Sequence, residues 1–183
     1  MYDGNNKTAL QSMDWISDAL AGLMLDRPYN KITIRDICAS SGLSRQTFYN
    51  LFETKDEVMH YCLQKRYKDQ LQDLPDDASL KMDDIINAFI AFGEENRLLL
   101  DYMIDNNLEG IITKEIANCI SIYVEKFVNT EINRDLLPYS IALLSGALAQ
   151  LQLYLFKQDN PLTGEQLSNL LADFFQGNIY HLP

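Results

Sequence analysis

Arg45, Gln46, Thr47, Tyr49 and Asn50 crowd into six residues of a short apolar-backed segment. Their types suit the reading of duplex DNA. Arginine can pair bidentately with guanine O6 and N7, and glutamine with adenine N6 and N7. Thr33, Tyr49 and Lys55 have the reach to hold phosphate, and Arg35 and Ser44 complete the candidate DNA-binding residues. Backbone N–H groups at helix starts would hold phosphate too. A compact helical corner with a polar outside fits the same residues, so both readings stand at this level.

Placing these side chains requires short helices in a fixed register. Thr33-x-x-Asp36 is a capping signature and opens a helix ending at Ser40-Ser41. Gly42 fits the turn that follows, where positive φ costs glycine little. Ser44 then caps a helix over 45–51, and Thr54-x-x-Glu57 opens one running to about 72. Ile34, Ile37, Cys38 and Ser41 form the inward face of the earlier helix. Leu43, Phe48 and Phe52 complete a small core with Leu20.

Thr33-Ile34-Arg35-Asp36-Ile37, Gly42-Leu43-Ser44, Thr47-Phe48-Tyr49, Phe52 and Lys55 together resemble the N-terminal domain of the tetracycline-repressor (TetR) family of bacterial regulators. The resemblance covers about residues 8–60. It implies an all-α homodimer that binds a palindromic operator and answers to a small molecule held in its C-terminal part. It places Arg45, Gln46 and Thr47 at base-reading positions, and Thr33, Tyr49 and Lys55 at phosphate-clamping ones. Two residues depart from the pattern: Ser41 where a small apolar alanine is common, and Gln46 where glycine is common. The first weakens core packing slightly; the second changes the sequence read.

Periodicity predicts helices throughout and no sustained strand alternation. The first spans about 8–25, opened by Thr8-x-x-Gln11 and ended by Arg27-Pro28. After Pro75–Ser79 come helices over roughly 80–94, 95–106, 110–129, 135–157 and 164–179, the last opened by Thr163-x-x-Gln166. Breaks are expected at Gly93, at Asn106-Asn107 with Gly110, near Asn133 and Pro138, and at 160–164. The architecture predicted is a helix-turn-helix DNA-binding domain over 1–53 and a helical regulatory and dimerisation domain over 54–183, joined by the helix of 54–72.

The helices of 135–157 and 164–179 are the candidate dimer surface, with Ala142, Ser145, Gly146, Ala149, Leu153, Leu167, Leu171 and Phe174 as its expected residues. Small residues allow close helix approach, and apolar residues on several faces need a partner. Packing inside one subunit is the alternative. Phe89, Phe92, Asn96, Leu99, Tyr102, Met103, Ile120 and Tyr123 could line a pocket, although an aromatic stripe is as readily plain core. No charged residue stands out as an anchor, which points to an apolar or neutral effector.

The formal net charge is −11, unpromising for a DNA binder until it is divided. Residues 1–72 hold nine Lys/Arg and nine Asp/Glu, whereas 73–183 hold six and seventeen. An acidic C-terminal half would repel phosphate and confine DNA contact to the other end; solubility alone would explain it as well. Cys38, Cys62 and Cys119 are odd in number and far apart, so no disulfide framework is indicated. No basic-then-apolar leader opens the chain. The apolar stretch 140–156 is short of a bilayer span and holds Ser145, Gln150 and Gln152. A soluble, cytoplasmic protein with no membrane partner is expected.

Enzyme readings find little support. There is no Gly-rich phosphate loop, Gly-x-Ser-x-Gly elbow or Cys-x-x-Cys. His60 and His181 lack a second histidine at metal-binding helical spacing, so no metal or cofactor is expected. Three functions remain: a repressor released by a small effector, an activator or co-regulator whose C-terminal part binds a protein, and a helical enzyme or carrier using the 80–129 region.

Overall fold

A computed structural model describes residues 1–72, 74, 81–127 and 134–178, the side chains of residues 82, 123–127 and 134 excepted. Among the described residues there are nine α-helices and no strand: α1 (Lys7–Asp26), α2 (Ile34–Ser41), α3 (Arg45–Leu51), α4 (Lys55–Leu71), α5 (Met82–Glu95), α6 (Arg97–Asp105), α7 (Glu109–Phe127), α8 (Leu137–Phe156) and α9 (Gly164–Phe175). The all-α expectation holds. The local signals behave less uniformly.

At the start of α1 the cap is Asn6, whose Oδ1 accepts from Thr8 N and Ala9 N. The expected Thr8-x-x-Gln11 box is therefore inside the helix. Asparagine two residues earlier offers a shorter acceptor to the same orphan N–H groups. At the other end, Arg27 is extended (φ −155°) as its place before proline demands. Gly93 does not break α5, which runs on to Glu95. The break falls at Asn96, whose buried amide donates to Phe92 O at 3.0 Å. A mid-helix glycine costs only about 1 kcal/mol, too little to end a helix whose flanking turns are packed.

The chain packs as two units. One comprises Met1–Arg66 with Asp101–Glu115; the other comprises Tyr67–Leu100 with Ile116–Pro183. They do not coincide with the division at 53/54 drawn from the sequence. The first turns of α4 bury Val58, Met59, Cys62 and Leu63, so they belong to the N-terminal core. Residues 101–115 join it through polar ties as well. Asn106 Oδ1 accepts from Tyr29 N at 2.8 Å, and His60 Nδ1 meets Glu115 Oε1 at 2.5 Å.

In the first unit, Met13, Ile16, Leu20, Ile37, Phe48 and Phe52 are essentially inaccessible to solvent. In the second, Ile86 of α5 packs with Leu167 and Leu171 of α9, flanked by Leu148, Leu151 and Leu155 of α8. The observed α8 has 20 residues and a mean hydropathy of 1.3 over its most apolar window. By length and composition it could cross a membrane, which corrects the expectation of a stretch too short to span. It nevertheless buries Ser145, Ala149 and Gln152 within its own unit.

Candidate nucleic-acid interface

The turn between α2 and α3 sets the geometry of the site. Thr33 caps α2 reciprocally: Asp36 N donates to Thr33 Oγ1 at 3.2 Å, and Thr33 N donates to Asp36 Oδ2 at 2.9 Å. The Thr33 hydroxyl also donates to Asp36 Oδ2 at 2.7 Å, and with the Thr33 N–H it holds the Asp36 carboxyl below the usual carboxylate range. Gly42 follows α2 at φ +72°, and the chain then closes with Leu43 N donating to Cys38 O at 3.1 Å. That is the left-handed stop glycine adopts without a Cβ penalty. Ser44 caps α3, its Oγ accepting from Thr47 N at 3.0 Å and lying 2.9 Å from Thr47 Oγ1.

The caps fix the rotation of α3 about its axis. Phe48 and Leu51 point inward and are buried, while Arg45, Gln46, Tyr49 and Asn50 are exposed together on the other side. Tyr49 is 57% exposed, its ring edge-on to Phe48 at 5.6 Å between centroids. Arg35 is exposed on α2. These five can reach outward to a duplex.

The other four expected DNA contacts are engaged in holding the head together. Thr33, Ser44 and Thr47 are the capping groups just described. Lys55 turns inward: its Nζ donates to Tyr29 O at 2.6 Å and Ile32 O at 3.0 Å, and stands 4.1 Å from the Tyr29 ring centre. Burial lowers its pKa. Tyr29 itself donates to Asp56 Oδ1 at 2.5 Å, and burial with that carboxylate raises its phenol well above the ordinary range. Lysine and aspartate at the start of α4 thus clasp the segment leading into α2. Hydrogen-bonding capacity was visible in the sequence; its direction was not.

The expected effector residues divide. Phe89, Phe92 and Ile120 meet at an apolar cavity of about 70 Å³ in the second unit, with Tyr67, Leu71, Cys119 and Leu148 also lining it. Tyr67 stacks on Phe92 at 3.7 Å. Asn96 is a helix cap, Leu99 does not line that cavity, and Tyr102 and Met103 belong to the other unit. Tyr123's side chain lies outside the described residues.

Of the expected dimer residues, Ala142, Gly146 and Phe174 are exposed and Leu153 is half-buried. Ser145, Ala149, Leu167 and Leu171 are buried within their own unit instead. A helix apolar nearly all round gives no period from which to choose its outer face. The face left open on α8 carries Tyr139, Leu143, Gly146, Ala147, Gln150 and Tyr154. Tyr139 and Leu143 are 74% and 75% exposed, and Leu170 and Phe174 add exposed apolar surface on α9.

Comparison with known proteins agrees with this geometry. Residues 16–62, from mid-α1 into α4, match the family model for bacterial regulatory proteins of the tetR family. The chain is 24% identical over 118 residues to DhaS, the HTH-type transcriptional activator of the dhaKLM operon of Lactococcus lactis subsp. lactis (strain IL1403). That match covers 63% of this chain and 62% of the relative's length. In fold it is similar to Lin0861 from Listeria innocua, with a TM-score of 0.72 at 14% identity, over 97% of this chain and 96% of the other. It is also similar to a TetR transcriptional regulator from Streptococcus agalactiae 2603V, with a TM-score of 0.60 at 14% identity, over 94% and 96% of the two chains. Residues 16–62 thus match the DNA-binding domain of the tetR family of bacterial regulatory proteins, and the full chain shares the fold of such proteins.

Proposed function

We propose that the chain works as a homodimer that grips a palindromic operator, represses by occupying it, and lets go when a small effector binds. One observation carries this: Arg45, Gln46, Tyr49 and Asn50 project from one face of a helix whose rotation is locked by caps at Thr33 and Ser44 and by the turn at Gly42. In the groove, Arg45 and Gln46 would read base edges, while Tyr49, Asn50 and Arg35 reach phosphates. Charge in the head is nearly balanced, so one copy has little nonspecific attraction for DNA. Two copies are therefore needed. The open apolar stripe of α8 with Leu170 and Phe174 of α9 is the surface on which a second copy would sit.

The effector would be apolar or neutral and would enter the cavity at Phe89, Phe92 and Ile120. About 70 Å³ is small against the roughly 300–1,000 Å³ of typical ligand pockets, so a larger ligand must spread the walls. One wall is the last turn of α4, at Tyr67 and Leu71. The same helix begins at Lys55, which holds the carbonyls before α2. A shift at one end of a continuous helix would thus reach the reading head and alter the spacing of its two copies.

A second reading has specific support. DhaS is described as an activator, so this chain could recruit transcription instead of blocking it, through a protein bound to its C-terminal unit. Selection of bound duplexes from a random pool, followed by transcription from the selected site, tests both. A two-fold symmetric site with half-sites one or a few helical turns apart is expected, with transcription falling when protein is added. A rise would favour the activator. An asymmetric single half-site would contradict the dimer.

A further inference from the structure

Caps at Ser44 and the turn at Gly42 hold the start of α3, and a segment ahead of α1 holds its end. Tyr2 N donates to Leu51 O at 2.7 Å. Leu51 is the last residue of α3, so no later turn of that helix can bond its carbonyl. The half-buried Tyr2 ring folds back along its own segment, and its hydroxyl accepts from Asn6 N at 3.3 Å. Asn6 in turn caps α1. Residues 2–6 therefore run as a strap from the end of α3 to the first turn of α1, all within the first unit.

Gly4 lets the strap close. A Cβ there would stand 2.5 Å from Tyr2 Cζ and would also collide with the hydroxyl oxygen. Among the described residues the glycines at positive φ are Gly42 and Gly177, so alanine at position 4 meets the ring and no backbone strain. The strap matters because α3 is short. Its seven residues are far below the roughly 12–15 at which an isolated helix holds itself in water. Its direction is set by what grips its ends. At the far end, Phe52 N donates to Phe48 O at 2.8 Å within the helix, and Glu53 N donates to Glu57 Oε2 at 2.8 Å across the elbow into α4. Tyr2 supplies the bond to the last residue itself.

We propose that residues 2–6 are a positioning strap for DNA reading. Through Leu51 O, Tyr2 fixes the far end of α3, so that Arg45, Gln46, Tyr49 and Asn50 meet the groove at one angle. This role rests on the reading that α3 faces DNA, and adds that its alignment is made before the duplex arrives. A helix aligned in the free protein spares the complex the cost of ordering it. The Tyr2 N–H and hydroxyl are turned to Leu51 and Asn6, so the strap acts through α3 and not by a direct bond to phosphate.

The test compares the full-length parent with Gly4→Ala, Tyr2→Phe and Arg45→Ala on a duplex selected by the parent. In the parent, NMR should find the Tyr2 ring protons against the Gly4 α-protons, and Gly4→Ala should lose the contact between these two positions. Gly4→Ala should bind about three- to tenfold more weakly, the worth of one hydrogen bond, with the slope of log affinity against log salt unchanged. Tyr2→Phe keeps the ring and the backbone N–H, and should bind within about twofold of the parent because the bond it loses is long. A strap that only stabilises the head would lower the urea midpoint of Gly4→Ala and leave its DNA affinity at the parent's value. That result overturns the proposal. A parent lacking the Tyr2–Gly4 contact overturns it too, as does a smaller salt slope in Gly4→Ala, which would put the strap on phosphate. If Gly4→Ala alone binds like the parent, only the strap falls; if Arg45→Ala does so as well, the reading role of α3 falls with it.

Discussion

Replacing Lys55 by methionine separates two roles that the sequence alone cannot tell apart. Methionine keeps most of the stem and removes the ammonium, with its hydrogen bonds to Tyr29 O and Ile32 O and its position over the Tyr29 ring. Hydrogen bonds to a charged group contribute about 1.5–3 kcal/mol each, and an exposed cation–π contact about 0.5–1 kcal/mol. Lys55 is half-buried, and burial already lowers its pKa, so the lower ends apply. Against them stands up to about 2 kcal/mol of rotamer freedom regained by the lysine position. The net loss should be about 1–2 kcal/mol. Trp15, the chain's single tryptophan, lies on α1 in the same unit, so urea unfolding followed by its fluorescence reads this loss directly. In a parallel DNA titration, the slope of log affinity against log salt should stay unchanged. A direct phosphate contact would lower it by about 0.9 per Lys55. A smaller slope with an unchanged urea midpoint would refute the structural role and restore Lys55 to the DNA surface.

Three further outcomes follow from the same structure. Gly42→Ala should destabilise by about 1 kcal/mol through backbone strain alone, since φ is +72° and a Cβ there meets nothing within 4 Å; the urea midpoint with Trp15 as probe checks it. The Asp36 carboxyl is held low by Thr33, so the folded state keeps its charge to lower pH than the unfolded chain. Its contribution is present above the unfolded carboxylate pKa and is lost as pH falls through the lower folded value. The acid side of the stability profile should therefore flatten in Asp36→Asn. Leu143→Asp places a charge in the open stripe of α8, and light scattering should find dimers for the parent and monomers for the variant.

Legibility followed how local the determining physics is. The helix-turn-helix could be read because each part of it is decided within four residues: the Thr33–Asp36 box, Gly42 at positive φ, the Ser44 cap and the inward Phe48. Even there, residue type did not say which way a polar group points. Thr47 and Lys55 have the chemistry of DNA contacts, and here their polar atoms meet Ser44 and backbone carbonyls. Asn6 displaced Thr8 as a cap because both are competent and only the chain's entry path chooses. Farther along, the orientation of α8 depends on what packs against it from α5 and α9. Its apolar residues surround the helix, so Ser145 and Ala149 could be assigned to either side. Gln152 was noted only as an interruption of an apolar run; its burial became evident only with its neighbours in place.

Whether α3 reads DNA decides the proposed function. Binding of Arg45→Ala and Tyr49→Ala to a duplex selected by the parent, measured at several salt concentrations, addresses that most directly. Arg45→Ala should lose about 1–3 kcal/mol, with relaxed preference at one base pair of each half-site. Tyr49→Ala should weaken all sequences alike. If both variants bind the same duplex as tightly as the parent at every salt concentration, the exposed face of α3 is not the reading surface.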